Sequence, residues 1–299
     1  MKTMIAGAMT VLLVALAGAG GPSSAQEKTS TESQAFEKLK EADALNQKDK
    51  IEEAAAAYRE AARLYEKALA SKPDDKVFLQ NHKYCLGRPG YIRILKAQRL
   101  AKEGRMREAA DLYDAAVADY GEALAVYPQE KNFLQNSEFA RQNGAVARFQ
   151  VLLQTNGPAP DFALPSLHGG RVGLADFRDK VVLVEFMAGW CPGCQASLPV
   201  LQSVKDHFSG RPVEIVLLAL DRVKPWQKSG SDKKSVEATK SLTLKAVWAE
   251  EDTYLRFGAF PSIPSVFLID RKGFLVAQIP YEEQKKDEFI ARIEAALRR

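Results

Sequence analysis

Trp190-Cys191-Pro192-Gly193-Cys194 constrains this chain more than any other feature. The two cysteines follow an apolar run over 181–186, rich in valine, and precede a stretch over 195–208 that reads as helix. A Cys-x-x-Cys at a strand-to-helix junction is a place where a thiol becomes reactive. The free amides and dipole at a helix N-terminus stabilise a thiolate, and the thiolate is the form that attacks disulfides. The spacing also lets the second thiol close onto the first. The competing use of such a pair is half of a structural zinc site, which needs two further ligands. Besides this pair the chain holds Cys85 and the histidines His82, His168 and His207, and none of these forms a second close pair. No metal and no cofactor beyond the two thiols is expected.

The first residues read as an export signal. Lys2 gives a short positive region, residues 11–17 an apolar core, and Ser23-Ser24-Ala25 a small-residue cleavage site, so 1–25 is expected to be a signal peptide. The rival is an uncleaved anchor over 5–19, a stretch short and Gly/Ala-rich for a membrane span; membrane attachment is expected only in that case. Both readings place the rest of the chain outside the cytoplasm, in the periplasm or an equivalent space. There a structural disulfide usually joins cysteines distant in sequence, so a pair three apart beside a tryptophan reads as a working redox pair. Cys85 reads as a small buried helix residue. A net charge of +4 and the lack of an Arg/Lys block argue against nucleic acid as a partner.

The two halves have different patterning. Residues 26–34 are polar and read as a disordered linker. From 35 to 153 apolar residues recur at helical spacing, for example Ala54, Ala55, Tyr58, Ala61, Ala62 and Tyr65, with Pro73 ending that helix. The pattern returns 55 residues later: residues 51–84 align without a gap on 106–139, with 15 identities in 34 positions. Phe78-Leu79-Gln80-Asn81 recurs unchanged as Phe133-Leu134-Gln135-Asn136. This duplication specifies stacked helices. Its small knobs and closing proline, from Glu108-Ala109-Ala110 to Pro128, resemble tetratricopeptide repeats, but the period exceeds the family's, about 34 residues. The domain over 35–153 is therefore expected to be a tetratricopeptide-like helical repeat, closed by a helix over 141–153. It serves as a partner-binding groove or as a spacer, and the core-like character of alanine and tyrosine leaves both open.

Residues 154–160, Gly/Pro-rich, read as a linker. Beyond them, strands are expected over 181–186, 213–220, 266–270 and 274–279, and helices over 194–208, 235–242 and 283–297, with a hairpin at Arg271-Lys272-Gly273. Strands alternating with helices and then a hairpin imply α/β layers around one mixed sheet.

These residues resemble the thioredoxin fold, and within it the exported TlpA/ResA-type thioredoxins. The likeness runs from Ala159-Pro160-Asp161-Phe162-Ala163-Leu164 through Trp190-Cys191-Pro192-Gly193-Cys194 and Pro199 to Ser262-Ile263-Pro264-Ser265-Val266. It implies a thioredoxin-like domain over 161–299 and the activity of a thiol–disulfide oxidoreductase, in the reducing direction usual for the family. Its partners would be protein substrates with disulfides and an upstream redox donor or acceptor protein. Cys191 would be the nucleophile and Cys194 the resolving thiol, the two forming the redox disulfide. Pro264 would be a cis-proline facing them, with the Ile263 backbone and Trp190 meeting substrate. Glu185, six residues before Cys191 in an otherwise apolar strand, would point inward and take the proton of Cys194, which needs a carboxyl pKa raised by burial.

Two departures stand out. Ser197 occupies a position where many relatives of this type carry an acid, and Pro261 lengthens the approach to Pro264, which would reshape the substrate groove. Two other functions compete. A thiol peroxidase of peroxiredoxin-like type shares the Pro160-Asp161-Phe162 opening, but its cysteine usually stands in a Thr-x-x-Cys setting, unlike Met187-Ala188-Gly189-Trp190. A non-catalytic adaptor, binding partners through the helical repeat, would have no need of the intact Cys191/Cys194 pair.

Overall fold

The computed structural model describes residues 30–299, so the expected signal peptide lies outside it. Helix α1, Thr31–Gln47, begins inside the stretch read as a disordered linker. The reason is a cap: the Ser30 hydroxyl accepts from Ser33 N, and Glu32 stands in the positive first turn and pairs with Lys72 of the next segment. Helices α2 (Ile51–Ser71), α3 (Lys76–Lys102), α4 (Met106–Val126) and α5 (Lys131–Thr155) follow. Contacts divide the chain into two units, the first ending at Arg141 and the second running Gln142–Arg299.

In the first unit the duplicated sequence produces duplicated packing. Helices α2 and α4 have equal lengths, and both end just before the repeated proline. Tyr65 meets Phe78 at 6.2 Å between ring centroids and 43°, and the equivalent Tyr120 meets Phe133 at 6.0 Å and 42°. The repeat breaks at one buried place. Asp119 stands where the first copy has Leu64, and its carboxylate accepts from Arg93 of α3 and Arg59 of α2, while Arg93 also holds Glu52. The buried acid thus ties α4 to both α2 and α3 through two cationic partners. Cys85 lies fully buried in α3, where burial pushes its thiol well above its usual range.

The second unit is layered around a sheet of order β5-β4-β3-β6-β7, built from β3 (Val181–Met187), β4 (Val213–Ala219), β5 (Lys245–Trp248), β6 (Ser265–Ile269) and β7 (Leu275–Ile279). Strands β3, β4 and β5 run parallel, whereas β6 is antiparallel to β3 and β7 to β6. Residues Ala163–Pro165 (β1) and Arg171–Gly173 (β2) form a separate hairpin. The helices are α6 (Pro192–His207), α7 (Ser231–Thr239), α8 (Glu251–Arg256) and α9 (Lys286–Leu297). Every residue of β3 and β4 is buried, as expected of strands covered on both faces. Odd-numbered Val181, Leu183 and Met187 pack with Leu198 and Leu201 of α6 and with Phe289 and Ile293 of α9. Even-numbered Val182, Val184 and Phe186 face the aromatic core of Phe149, Phe257, Phe260 and Phe267.

That aromatic core explains where the chain divides. The sequence reading assigns the helix over 141–153 to the repeat and 154–160 to a linker. Instead the end of α5 belongs to the second unit, with Phe149 edge-on to Phe267 at 5.2 Å and tilted on Phe257 at 6.3 Å. Residues 157–159 are tied to the β7 turn as well: Gly157 O accepts from Leu275 N, Ala159 N donates to Gly273 O, and Pro158 bridges Phe274.

A fragment over 142–299 is therefore expected to fold more stably than one over 158–299. Phe149→Ala should cost about 3–5 kcal/mol, the usual range for deleting a buried phenylalanine. Guanidinium midpoints of the two fragments and of the full-length variant check this, and equal midpoints for the fragments would reassign α5 to the repeat.

Candidate active site

The site grows from the C-terminal end of β3. The strand exits through Ala188-Gly189-Trp190, and Cys191 caps α6, with Pro192 at the first helical position, where a missing N–H is harmless. The Cys191 sulfur accepts from Cys194 N at 3.1 Å. Cys191 and Cys194 are joined as a disulfide, Cys191 being 4% exposed and Cys194 wholly buried. Access therefore falls to Cys191. Opposite them Ile263–Pro264 is a cis peptide leading into β6, and the Ile263 carbonyl lies 3.7 Å from Cys191 Sγ. A side chain on Gly193 would begin 3.3 Å from Pro264 Cδ and 3.5 Å from the Tyr281 hydroxyl, so glycine keeps this approach open. Tyr281, 63% exposed, thus stands beside the dithiol.

Glu185 lies beneath the dithiol on the α6 face of β3, between Leu183 and Met187, and is completely buried. Burial pushes its carboxyl pKa up to about 8, against a smaller lowering by Ser197. Ser197 Oγ is 2.6 Å from Glu185 Oε1 and 2.8 Å from the Cys194 carbonyl. A hydroxyl carries one proton, and a protonated Glu185 satisfies both contacts: its O–H donates to Ser197 Oγ, whose own proton goes to Cys194 O. Glu185 Oε2 has no hydrogen-bond partner among the described residues, which again disfavours the anion. Ser197 is thus the partner of the acid six residues before the dithiol. Its three-residue offset from Cys194 puts it one helical turn on, a signal available in the sequence.

Trp190 is held from its far side. Its Nε1 donates to Trp226 O at 2.7 Å, the two indoles stack at 6.4 Å and 16°, and Lys228 Nζ sits 3.4 Å from the Trp190 ring centroid. Asp221 Oδ1 accepts from Gly189 N at 2.9 Å, and its Oδ2 accepts from Ser235 Oγ at 2.6 Å. A Cβ on Gly189 would lie 2.7 Å from Ser235 N, so only glycine fits against α7. Sequence reading missed Asp221, Trp226, Lys228 and Tyr281, which approach the cysteines only through the fold. On the lengthened approach to Pro264, Phe260 O accepts from the Tyr254 hydroxyl at 3.1 Å, and the Phe260 ring joins Phe186 at 4.9 Å. His82 and His168 are engaged with the hydroxyls of Tyr127 and Thr239, and no group of three acidic, histidine or cysteine side chains that could hold a metal occurs among the described residues.

A dithiol at a helix N-terminus, on a central strand and opposite a cis-proline, places the second unit among thioredoxin-fold redox domains. Residues 155–278 match the AhpC/TSA family, and the same region is similar to ResA-type thiol-disulfide oxidoreductases. The thiol-disulfide oxidoreductase ResA of Bacillus thuringiensis subsp. konkukian is 28% identical over 140 residues, 45% of this chain and 76% of the relative. The thioredoxin-like protein YneN of Bacillus subtilis is 25% identical over 126 residues, 42% and 71% of the respective chains. Among solved structures, the thioredoxin domain of a thiol-disulfide oxidoreductase from Bacteroides vulgatus is 25% identical, covers 47% of this chain and 95% of its own, and aligns with a TM-score of 0.40.

The buried carboxyl has a consequence for stability. Its folded pKa lies above its unfolded one, so between about 4.5 and about 8 the folded protein binds a proton that the unfolded chain releases. Stability from this group is therefore undiminished at pH 4, falls as pH rises through that window, and levels off above it. Oxidised Glu185→Gln lacks the penalty, and its stability relative to the parent should rise by about 3 kcal/mol between pH 4.5 and pH 7. Guanidinium unfolding at pH 4.5, 7 and 9 measures the gap, and a pH-independent gap would mean that Glu185 is not the titrating group.

Proposed function

We propose that the protein is an exported thiol–disulfide oxidoreductase working in the reducing direction, with Cys191 as nucleophile. The observation that carries this reading is the position of Cys191, the more accessible sulfur of the pair, at the N-cap of α6 and beside the carbonyl that precedes cis-Pro264. The helix terminus favours its thiolate. The thiolate attacks one sulfur of a client disulfide; a Cys191–client disulfide forms, and the client's other sulfur leaves as thiolate and takes a proton from water. The Ile263 backbone pairs with the client chain, and Trp190 and Pro264 border the sulfur being attacked. Cys194 then loses its proton to Glu185, attacks Cys191 Sγ, and expels the second client thiolate. Two electrons have passed to the client, and Cys191–Cys194 is left as the disulfide, with the proton held on Glu185 where burial favours it. An upstream dithiol protein returns the two electrons, and Glu185 returns the proton to Cys194.

Export rests on the leader over 1–25 and on the redox chemistry itself, which fits a compartment where disulfides persist. Among the described residues no helix is long and apolar enough to cross a membrane. The helical repeat is read as a docking module for clients or for the electron donor, supported by its duplicated helix pairs, since stacked helical repeats build binding surfaces. The peroxidase alternative requires peroxide consumption by the reduced protein, and the adaptor alternative requires that purified protein fail to speed insulin reduction by dithiothreitol.

Two outcomes are expected. Cys194→Ser should accumulate mixed disulfides with clients while Cys191→Ser should not, as read on non-reducing gels; equal trapping would invalidate the assignment of nucleophile. Glu185→Gln should leave the first attack nearly intact and slow release of the mixed disulfide by about 10²-fold, the lower range for loss of a positioned general base; stopped-flow resolution at the parent's rate would reduce Glu185 to a structural acid. The docking role is tested separately with the Cys194→Ser protein, full-length and over 142–299, on one periplasmic extract. Client recovery should fall without the repeat, because tethering raises the local client concentration; identical clients at identical yield would make the repeat a spacer.

A further inference from the structure

The segment between β4 and β5 lies against the residues that lead into Cys191. Asp221 and Trp226 bond to Gly189 N and Trp190 Nε1, and Lys228 Nζ lies over the Trp190 ring. Lys234 begins 2.9 Å from the point where a Gly189 side chain would start. The segment is also strongly basic. Residues 222–240 carry six exposed cations, Arg222, Lys224, Lys228, Lys233, Lys234 and Lys240, against the acids Asp232 and Glu237. None of the six joins an ion pair among the described residues. Along the sequence these charges are dispersed and form no block; folded, Lys228 and Lys234 lie against Trp190 and Gly189, the two residues that lead into Cys191.

Unpaired like charges on one short segment repel each other and set up a positive potential that attracts an anionic partner at low salt. Lys228 adds geometry. An aromatic face attracts an ammonium through its quadrupole but accepts no ordinary hydrogen bond, so Lys228 is positioned while its N–H donors stay free. The anion that comes nearest is whatever presents a disulfide to Cys191.

We propose that this basic lobe selects clients whose disulfide is flanked by acidic residues. Carboxylates next to the client cysteine engage Lys228 and Lys234 as Cys191 attacks, the new bond joining Cys191 to one client sulfur and the other sulfur leaving as thiolate. The proposal rests on the reductase reading above and names the substrate class of that site. The lobe raises the rate of productive encounter more than the rate of the chemical step.

The test uses full-length reduced protein and three peptides with the same disulfide loop and with Glu-, Gln- or Lys-rich flanks. Second-order reduction rates are measured at salt of about 0.02 M and about 0.5 M, between which exposed charges become largely screened. At low salt the Glu-flanked peptide should react about tenfold faster than the Gln-flanked one, and the Lys-flanked one more slowly still. High salt should bring the three together. The double variant Lys228→Glu, Lys234→Glu, which leaves four cations against four acids over 222–240, should bring the three rates together; the salt series on the unaltered protein tests the same dependence without any variant. Equal rates for the three peptides at low salt, or an order that persists in the double variant, would overturn the acidic-client proposal and leave the reductase reading standing. Binding of anionic phosphatidylglycerol vesicles that the double variant abolishes, with no order among the peptides, would make the lobe a lipid surface and likewise overturn it. Failure to reduce any of the peptides would overturn the reductase reading itself, and the client proposal with it.

Discussion

Strand β3 is buried on both faces along its whole length, and the second unit is arranged around that fact. A two-residue period must serve two cores at once. The even side chains commit one face to an aromatic layer that reaches Phe149 of α5. The odd side chains commit the other to α6 and α9. The strand end is thereby held from two sides, and the loop that carries Trp190 and Cys191 leaves from a rigid point. A dithiol needs that rigidity, because its two sulfurs must meet within one helical turn while only one of them is accessible. A register slip of one residue would exchange the two cores and move Glu185 from beneath α6 into the aromatic layer.

Glu185 is the one residue of β3 that works against burial. An unpaired carboxylate in such a place is costly, and burial holds the group protonated near neutral pH. Ser197 lowers the cost without abolishing it, since its hydroxyl reaches only one of the two oxygens. A second acid in that position would have placed two buried carboxyls side by side, competing for a proton. The serine instead offers one oxygen that both accepts from the acid and donates to the Cys194 carbonyl, so the proton store is coupled to the first turn of α6. The tolerated instability of the strand and the proton chemistry proposed for the dithiol are two aspects of one buried group.

Long elements with strong patterning were legible in the sequence, and short ones were not. The runs that became β3, β4, β6 and β7 announced themselves by β-branched apolar content, and α6 and α9 by length. Strands β1 and β2 span three residues each and β5 four, too few for any period to show. Helix α8 is similarly short. The division inside α5 was illegible for a different reason: helical spacing tells which face is apolar but not which core that face joins, and Phe149 found its partners more than a hundred positions away in sequence. Residues 31–34 were misread because composition suggested disorder, while the Ser30 cap and Glu32 made a helix start. At the site, the cysteine pair, Glu185 and Pro264 could be named because a motif or an anomaly marked each one. Asp221 and Trp226 could not, because nothing local distinguishes a buried aspartate from a solvated one.

The segment that sequence reading passed over does most to determine the surroundings of the dithiol. Trp190 stands next to Cys191, yet it stacks with Trp226 and its N–H is already donated to a backbone carbonyl. Its remaining freedom is therefore small, and it acts as a wall fixed from behind by the β4–β5 connection. Gly189 is fixed from the same side, its N–H held by Asp221 and its Cα too close to α7 for any side chain. A change in the connection would move Cys191 Sγ indirectly, through the two residues that precede it. Redox chemistry in this fold thus depends on a helix N-terminus that the central strand supplies and on a lateral clamp that lies outside the motif. The motif supplies the two sulfurs, and the clamp holds the two residues that lead into them.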